Sequence, residues 1–419
     1  MTVTPPSLAK LKPNSDWASL PLFDRTGWKR VFFGDVVENC AETCDPSEAG
    51  LERFVAMEHL EPGSLHVRSW GNVADGTTFT RRCRPGQVLF GKRRAYQRKV
   101  AVAEFEAVVS GDIYVLAPKD TRRLLPELLP FLCLSERFFQ HAVGTSAGSL
   151  SPRTNWSSLA SFEFDLPPLD LQRRIAEILW KVDNCRIAWE SVRIQMLQYM
   201  SILPNELLVR GTVREQLHES SIGPIPRGWK VERLKDVCER VSVGIASAAT
   251  HAYAKEGIPL IRNQNIKEGF LDTADLLFIT PEFDGKYACK RLKEGDVLTV
   301  RTGYPGVSAV VPKQYESCQS FTTLISRPIK ERLNPQFLCH WINSAHGKAF
   351  VAVGKMGAAQ QNLNAGILED MELPIPPLNE QDVICEAISG ATESRKEIES
   401  LLNELHKLYS RLLCRLIDC

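Results

Sequence analysis

At 419 residues, with 44% apolar and 24% charged side chains, the chain is long enough for two or three globular domains and carries no apolar run near 18 residues. No apolar leader core opens it and its twelve cysteines include no Cys-x-x-Cys pair, so a cytoplasmic protein with reduced thiols and no membrane segment is expected. A net charge of +1 excludes a uniformly basic nucleic-acid binder, but not a chain whose basic residues collect on one face.

Residues 1–26 read as an extension without periodicity. Gly27-Trp-Lys-Arg-Val then opens a mixed segment, where short apolar runs at 87–90, 100–103, 107–109 and 113–116 predict strands. Threaded through them is a stretch with eight basic residues and no acidic one: Arg81, Arg82, Arg84, Lys92, Arg93, Arg94, Arg98 and Lys99, with Tyr96 among them. Residues 124–141 read as one helix despite Pro126 and Pro130. Residues 144–155 are a Gly/Ser/Thr-rich loop carrying Ser146, Ser149, Arg153 and Asn155, and 162–166 alternate as a strand does.

That strand runs into Leu166-Pro-Pro-Leu-Asp-Leu-Gln172. Pro-Pro cannot lie inside a helix, because each ring removes an N–H and restricts the residue before it, so this is an extended arm turning abruptly into a helix with Asp170 as its expected N-cap. Beyond it Ile175, Ile178, Val182, Cys185, Trp189, Val192, Met196, Tyr199 and Leu203 recur in steps of three and four. The same arm returns 209 positions later as Ile375-Pro-Pro-Leu-Asn-Glu-Gln381, with Asn379 as N-cap. Ile384, Ile388, Ala391, Arg395, Ile398, Leu402, Leu405, Tyr409, Leu412 and Leu416 follow it, with one polar break at Arg395. An average step of 3.5 is a coiled-coil seam, and each helix would run roughly 50 Å. Two matching seams predict that the helices pair with each other, the interface including Gln172, Ile175, Val182, Trp189, Met196, Gln381, Ile384, Leu402, Leu405 and Tyr409.

The duplication extends beyond the arms. Gly228-Trp-Lys-Val-Glu matches Gly27-Trp-Lys-Arg-Val, Glu294-Gly-Asp-Val-Leu matches Pro85-Gly-Gln-Val-Leu, and Phe337-Leu-Cys matches Phe131-Leu-Cys. Phe321-Thr-Thr-Leu-Ile aligns with Asp112-Ile-Tyr-Val-Leu, and the loop 354–364 with the loop that starts at Gly144. A period this long means duplicated domains rather than a solenoid. The expected fold is α+β: two similar mixed α/β domains separated by two long helices, with an internal pseudo-two-fold repeat. The expected segments are 1–26, 27–165, 166–211, 212–374 and 375–419.

Chemistry of its own is not expected. The Pro-Pro pairs follow Leu166 and Ile375, so they cannot present an amide to a base as the adenine-facing loop of a methyltransferase does, and no phosphate-cradling Gly-rich loop ending in Lys-Ser/Thr occurs. Asp284 and Lys286 form an Asp-x-Lys fragment seen in nucleases, though such short matches arise by chance. The basic stretch suits phosphate contacts from several side chains and a fork onto guanine O6 and N7 from one or two arginines. Its counterparts in the second half are Arg301 and Tyr304, with Lys290 and Arg291 near in sequence. Gln360, Gln361 and Asn362, in a polar Gly loop, suit adenine edges.

Together these residues resemble the specificity (S) subunits of type I restriction–modification enzymes. The resemblance covers nearly the whole chain from residue 27. It rests on the two Pro-Pro-Leu-x-x-Gln-x-x-Ile arms, on Ile222-Gly-Pro-Ile-Pro-Arg-Gly-Trp229, and on Leu89-Phe-Gly-Lys-Arg-Arg-Ala-Tyr96. It implies two target-recognition domains on an antiparallel coiled coil, binding double-stranded DNA at a bipartite target and assembled with two methyltransferase (M) and two restriction (R) subunits. S-adenosylmethionine, ATP and Mg would belong to those partners, with no cofactor in this chain. Leu171 departs from the pattern, which carries Glu there as Glu380 does, and Thr392 stands where the first copy has Asp183. A coiled-coil adaptor without DNA specificity, and a nuclease or fused modification enzyme, are the alternatives.

Overall fold

The computed structural model describes residues 21–213, 215–247, 249–356 and 362–418. They form two compact units, Met1–Val192 with Ile398–Cys419, and Arg193–Glu397.

In the first unit β1 (Lys29–Phe32) passes through a one-turn helix, α1 (Phe33–Val36), into β2 (Val37–Asn39) and β3 (Arg53–Val55). The short β4 (Gly71–Asn72) and β5 (Arg81–Cys83) precede a hairpin of β6 (Val88–Gly91) and β7 (Val100–Val102), then β8 (Ala107–Val109) and β9 (Ile113–Pro118). Helices α2 (Leu129–Leu134), α3 (Glu136–Gly144) and α4 (Trp156–Ala160) and strand β10 (Glu163–Leu166) lead to the long α5 (Leu169–Arg210). The strands make two four-stranded sheets, β2-β9-β6-β7 and β4-β3-β8-β5, while β10 returns antiparallel to β1. Alternation along β6 serves both faces: Val88 and Phe90 join the core shared with the helices, and Leu89 joins the core shared by the two sheets.

The second unit repeats this plan. After β11 (Leu217–His218) and β12 (Ile225–Pro226) come β13 (Lys230–Arg233), α6 (Leu234–Val237) and β14 (Cys238–Val243). Strands β15 (Tyr253–Ala254), β16 (Ile258–Arg262), β17 (Ile266–Lys267), β18 (Phe270–Leu271) and β19 (Leu277–Ile279) precede α7 (Pro281–Lys286). The hairpin is β20 (Val297–Thr299) and β21 (Ser308–Val310), followed by β22 (Gln319–Phe321) and β23 (Leu324–Pro328). Helices α8 (Pro335–Asn343), α9 (Ala345–Met356) and α10 (Ala365–Glu369) and strand β24 (Glu372–Ile375) lead to α11 (Leu378–Leu413). Its sheets are β14-β23-β20-β21 and β15-β19-β16-β22, and β24 pairs antiparallel with β13.

Three local expectations are corrected. Residues 124–141 are not one helix: Ser135 is extended (ψ 147°) and its hydroxyl accepts from the Phe138 amide, so α2 stops and α3 starts there. The alignment of 112–116 with 321–325 slips by one residue. Val88 faces Leu116 and Val297 faces Ser326, so Val115 corresponds to Ile325, and each lies in its sheet-side core. A one-residue slip would exchange the two faces of the strand. Third, α5 and α11 begin two residues earlier than expected, with the Pro168 and Pro377 carbonyls accepting from the Gln172 and Gln381 amides (2.9 and 3.0 Å). A proline can fill that place because only its carbonyl is needed. Asp170 lies in the first turn of α5, where the helix dipole favours a negative charge.

The arm glutamines turn inward instead of lining an interface. Gln172 and Gln381 are buried, and each ties the arm to the segment before the domain's helices. Gln172 Oε1 accepts from the Leu125 amide (2.9 Å) while Nε2 donates to the Arg123 and Pro167 carbonyls (both 2.8 Å). Gln381 repeats the pattern with the Asn334 amide (2.7 Å) and the Arg332 and Pro376 carbonyls (both 2.9 Å). Where the arms differ, packing compensates: Glu380 accepts from the Trp229 indole (3.0 Å), and Leu171 is buried in a core against which Trp28 packs.

In the first unit Ile175, Leu179 and Trp180 share a core with Tyr409 and Leu416; in the second, Leu208 shares one with Ile384 and Ile388. Each unit thus packs the beginning of one long helix against the end of the other, which is antiparallel pairing. On α11 and the turn that follows it every seam position from Ile384 to Leu416 is buried or half-buried, Arg395 included. On α5, Val182, Trp189 and Met196 are half-buried, but Cys185, Val192 and Tyr199 are exposed. Asp183 and Arg186 turn inward nearby, for a reason that lies in a buried ion network. Helix α5 absorbs Pro204 and ends at Gly211, whose φ of +72° closes the last turn. A Cβ there would meet the Glu380 carboxylate at 2.5 Å and the Trp229 ring at 2.9 Å. Gly211→Ala is therefore expected to destabilise the second unit by about 2 kcal/mol, read by denaturant unfolding.

Candidate nucleic-acid interface

The basic stretch of the first unit falls into two groups once folded. On and just after β5, Arg82 and Arg84 are committed to Glu42 and Glu106 (2.6–3.5 Å), and Arg81 donates to the Asn39 side-chain Oδ1 (2.9 Å). The other group sits at the apex of the β6–β7 hairpin. There Arg98 pairs with Glu136, and Lys99 donates to the Met57 carbonyl (2.7 Å). Lys92 lies over the Tyr114 ring (4.9 Å); burial and the nearby Arg81 charge lower its pKa.

The loop 144–155 folds against this apex. Residues 147 and 153 form a narrow pair, Arg93 bridges to Arg153, and the Thr154 amide donates to the Lys92 carbonyl (3.1 Å). Asp112 binds both Arg153 (2.8 Å) and Arg93 (3.3 Å). Burial alone would raise the Asp112 carboxyl, but the hydrogen bonds from Arg153 and Arg93 outweigh it and hold the pKa below the ordinary value. Ser151 accepts from both Arg93 (3.1 Å) and Arg94 (3.4 Å). Tyr96 is 55% exposed, Ser149 is exposed, and Leu150, at the tip, is 90% exposed. Asn155 is exposed and its side-chain Oδ1 caps α4, accepting from the Ser158 amide (2.8 Å).

In the second unit the β20–β21 hairpin carries Arg301 and Tyr304, the latter 85% exposed between Gly303 (φ 84°) and Gly306 (φ 98°). The Leu363 amide donates to the Arg301 carbonyl (3.1 Å), repeating the Thr154–Lys92 contact and placing half-buried Asn362 beside the hairpin's base. Gln360 and Gln361 lie outside the described residues. Lys290 and Arg291 do not join this face. The Lys290 ammonium donates to the Val243 and Gly244 carbonyls (3.0 and 2.8 Å), and Arg291 grips Asp284. Asp284 is buried and also accepts from Gln319 (2.8 Å), which leaves the Asp-x-Lys fragment as packing.

Three participants carried no sequence signal. Asp112 and Ser151 are ordinary loop residues until folding brings them among the arginines, and Asn263, which accepts from the Arg301 amide (3.1 Å) and donates to Thr302 (3.0 Å), lies 38 positions from the hairpin it braces. Among the described residues, what the two units share is a hairpin apex, basic with an exposed tyrosine and tied to the chain just before the following helix, of a kind that suits phosphate contacts and base edges.

A family model described as type I restriction modification DNA specificity domain matches residues 72–199 and 226–406, once for each repeat. The MjaVIII specificity subunit of a type I restriction enzyme from Methanocaldococcus jannaschii is 24% identical over 412 residues, 92% of each chain. A solved chain described for complex assembly and conformational transition of the type I R-M system superposes with a TM-score of 0.55 at 19% identity, covering 93% of this chain and 97% of that one. The S subunit of a type I restriction–modification system from M. genitalium gives a TM-score of 0.54 at 12% identity, covering 97% and 98%; these two likenesses establish the fold. Matched over most of its length and in both repeats, the chain belongs to the type I restriction modification DNA specificity family.

Proposed function

We propose that this chain is the sequence-specific DNA-binding subunit of a type I restriction–modification complex and recognises a bipartite duplex target. Recognition domains 27–165 and 212–374 each read one half-site, and the helices of 166–211 and 375–419 fix the spacing. The observation that carries this is repetition with divergence. Both units keep the same hairpin, pinned by the same backbone hydrogen bond from Thr154 or Leu363, while the side chains at the hairpin tips differ. Invariant scaffolding with variable tips is what two readers of different sequences need, since phosphate contacts position and base contacts specify.

In this reading the chain does no chemistry. Methyltransferase subunits supply S-adenosylmethionine-dependent adenine methylation, restriction subunits supply ATP- and Mg-dependent cleavage, and the complex works in the cytoplasm. The nuclease alternative loses its support because the Asp284 carboxylate is bound by Arg291 and Gln319. The test is sequencing of methylated adenines in cells expressing this chain with its methyltransferase partner. A split methylated motif that vanishes on deletion of this chain is expected; a contiguous motif, or one that survives the deletion, refutes the proposal.

A further inference from the structure

The proposed reading leaves open which basic side chain reads a base. We infer that Arg94 is the specificity-determining arginine of the first recognition domain, aimed at a guanine of the first half-site. This deepens the proposed function and rests on it.

The first line of argument is elimination. Among the described residues of the basic cluster, Arg82, Arg84, Arg93, Arg98 and Arg153 each hold a carboxylate, and Lys99 holds a backbone carbonyl. Lys92 lies over a ring and is a point charge without a fork. Arg81 lies on β5, away from the apex, with its guanidinium on the Asn39 side chain; Arg94 is half-buried too, but at the apex. Arg94 is the arginine at the hairpin apex without a carboxylate; the Ser151 hydroxyl, accepting one N–H, steadies its guanidinium and leaves its charge uncompensated.

The second line is backbone strain. Arg94 has φ 53° and ψ 53°, a left-handed conformation that a side chain disfavours and glycine adopts freely. The matched Thr154–Lys92 and Leu363–Arg301 hydrogen bonds set the two hairpins in register, which puts Gly303, at φ 84°, in the place of Arg94. The turn itself is held through the backbone, the Arg94 amide donating to the Pro152 carbonyl (2.7 Å). The second repeat shows that this turn needs no arginine. A bulky residue kept where glycine would relax the chain marks a side chain retained for what it contacts. Arg98 is left-handed too, but its side chain is held by Glu136. A forked guanidinium on a rigid turn suits the paired O6 and N7 acceptors that only guanine offers in the major groove.

The experiment uses the full chain assembled with its methyltransferase partners, selecting from a pool of random duplexes. The wild type is expected to enrich a two-part motif. Arg94→Gly is expected to lose about 10- to 100-fold discrimination at one G·C pair of one half, leaving the other half unchanged. Its melting temperature should equal or exceed that of the wild type, because the strain is relieved. Arg94→Lys should keep its affinity for non-cognate duplex and lose the same discrimination. An unchanged motif in both variants, or uniform weakening with the motif intact, overturns the assignment. A wild type that enriches no motif instead overturns the specificity-subunit reading, and this inference with it.

Discussion

Asp183→Leu is expected to destabilise the first unit by about 3–5 kcal/mol, the cost of breaking a buried charge network from one side. Asp183 is fully buried on α5, where it accepts from Arg186 (2.7 Å) and faces His66 Nε2 (3.1 Å). His66 Nδ1 in turn lies 2.6 Å from Glu104, and the Arg186 guanidinium sits over the Tyr409 ring (5.6 Å). One chain of contacts thus joins the recognition domain's Glu104 and His66 to both long helices within this unit. Removing the carboxylate leaves two buried cations facing each other. The network has a pH signature. Burial disfavours the charged imidazole, but hydrogen bonds to Asp183 and Glu104 outweigh it and raise His66 from 6.5 to about 9. A raised folded pKa means the contribution is complete below pH 6.5, declines above it, and is gone once pH passes about 9. Thermal unfolding of wild type and variant should therefore differ most at the acid end of that window and converge toward its alkaline end. A gap independent of pH would show that packing, not the imidazolium, carries the effect. In the second unit the corresponding Thr392 donates to the Ile388 carbonyl of its own helix (2.9 Å), so its replacement should be mild.

Gln381→Leu and Gln172→Leu are expected to cost about 3–6 kcal/mol, each in its own unit. A leucine of similar size would leave one amide and two carbonyls without partners; a buried orphan costs roughly 1–3 kcal/mol, and the partly buried ones among these stay at the low end of that range. In the second unit the orphaned amide belongs to Asn334, whose carbonyl caps α8 through the Gln336 amide (2.7 Å), so the damage reaches the domain helices. Denaturant titration measures it. A loss below about 1 kcal/mol, as for an ordinary surface substitution, would show that the arms are held by other contacts.

The glutamines illustrate how much was legible. Their recurrence after each Pro-Pro was plain, but two of the three partners of each are backbone groups 47 to 49 residues away, and hydrophobic periodicity says nothing of those. The seam of α5 shows the same limit. Apolar spacing put Cys185, Val192 and Tyr199 inward, and they are exposed; beside Cys185 it is Asp183 and Arg186 that turn inward, in an ion network that only the distant His66 and Tyr409 make tolerable. The basic stretch read correctly as a concentration of charge. Its division into arginines that hold a carboxylate and Arg94, which holds only the Ser151 hydroxyl, depends on Glu42, Glu106, Asp112 and Glu136, whose positions in the chain betray no pairing.

By itself the sequence determined the duplication, five strands of the first domain, the Pro-Pro arms and the long helices, because these follow from local rules: side-chain period, the missing proline N–H, and glycine where φ must be positive. Only the tertiary structure decided which polar side chains turn inward, which cations are neutralised, and that Arg94 stands strained where its repeat has glycine. Those outcomes are set by partners far apart along the chain, in a buried environment where an unpaired charge is too costly to remain.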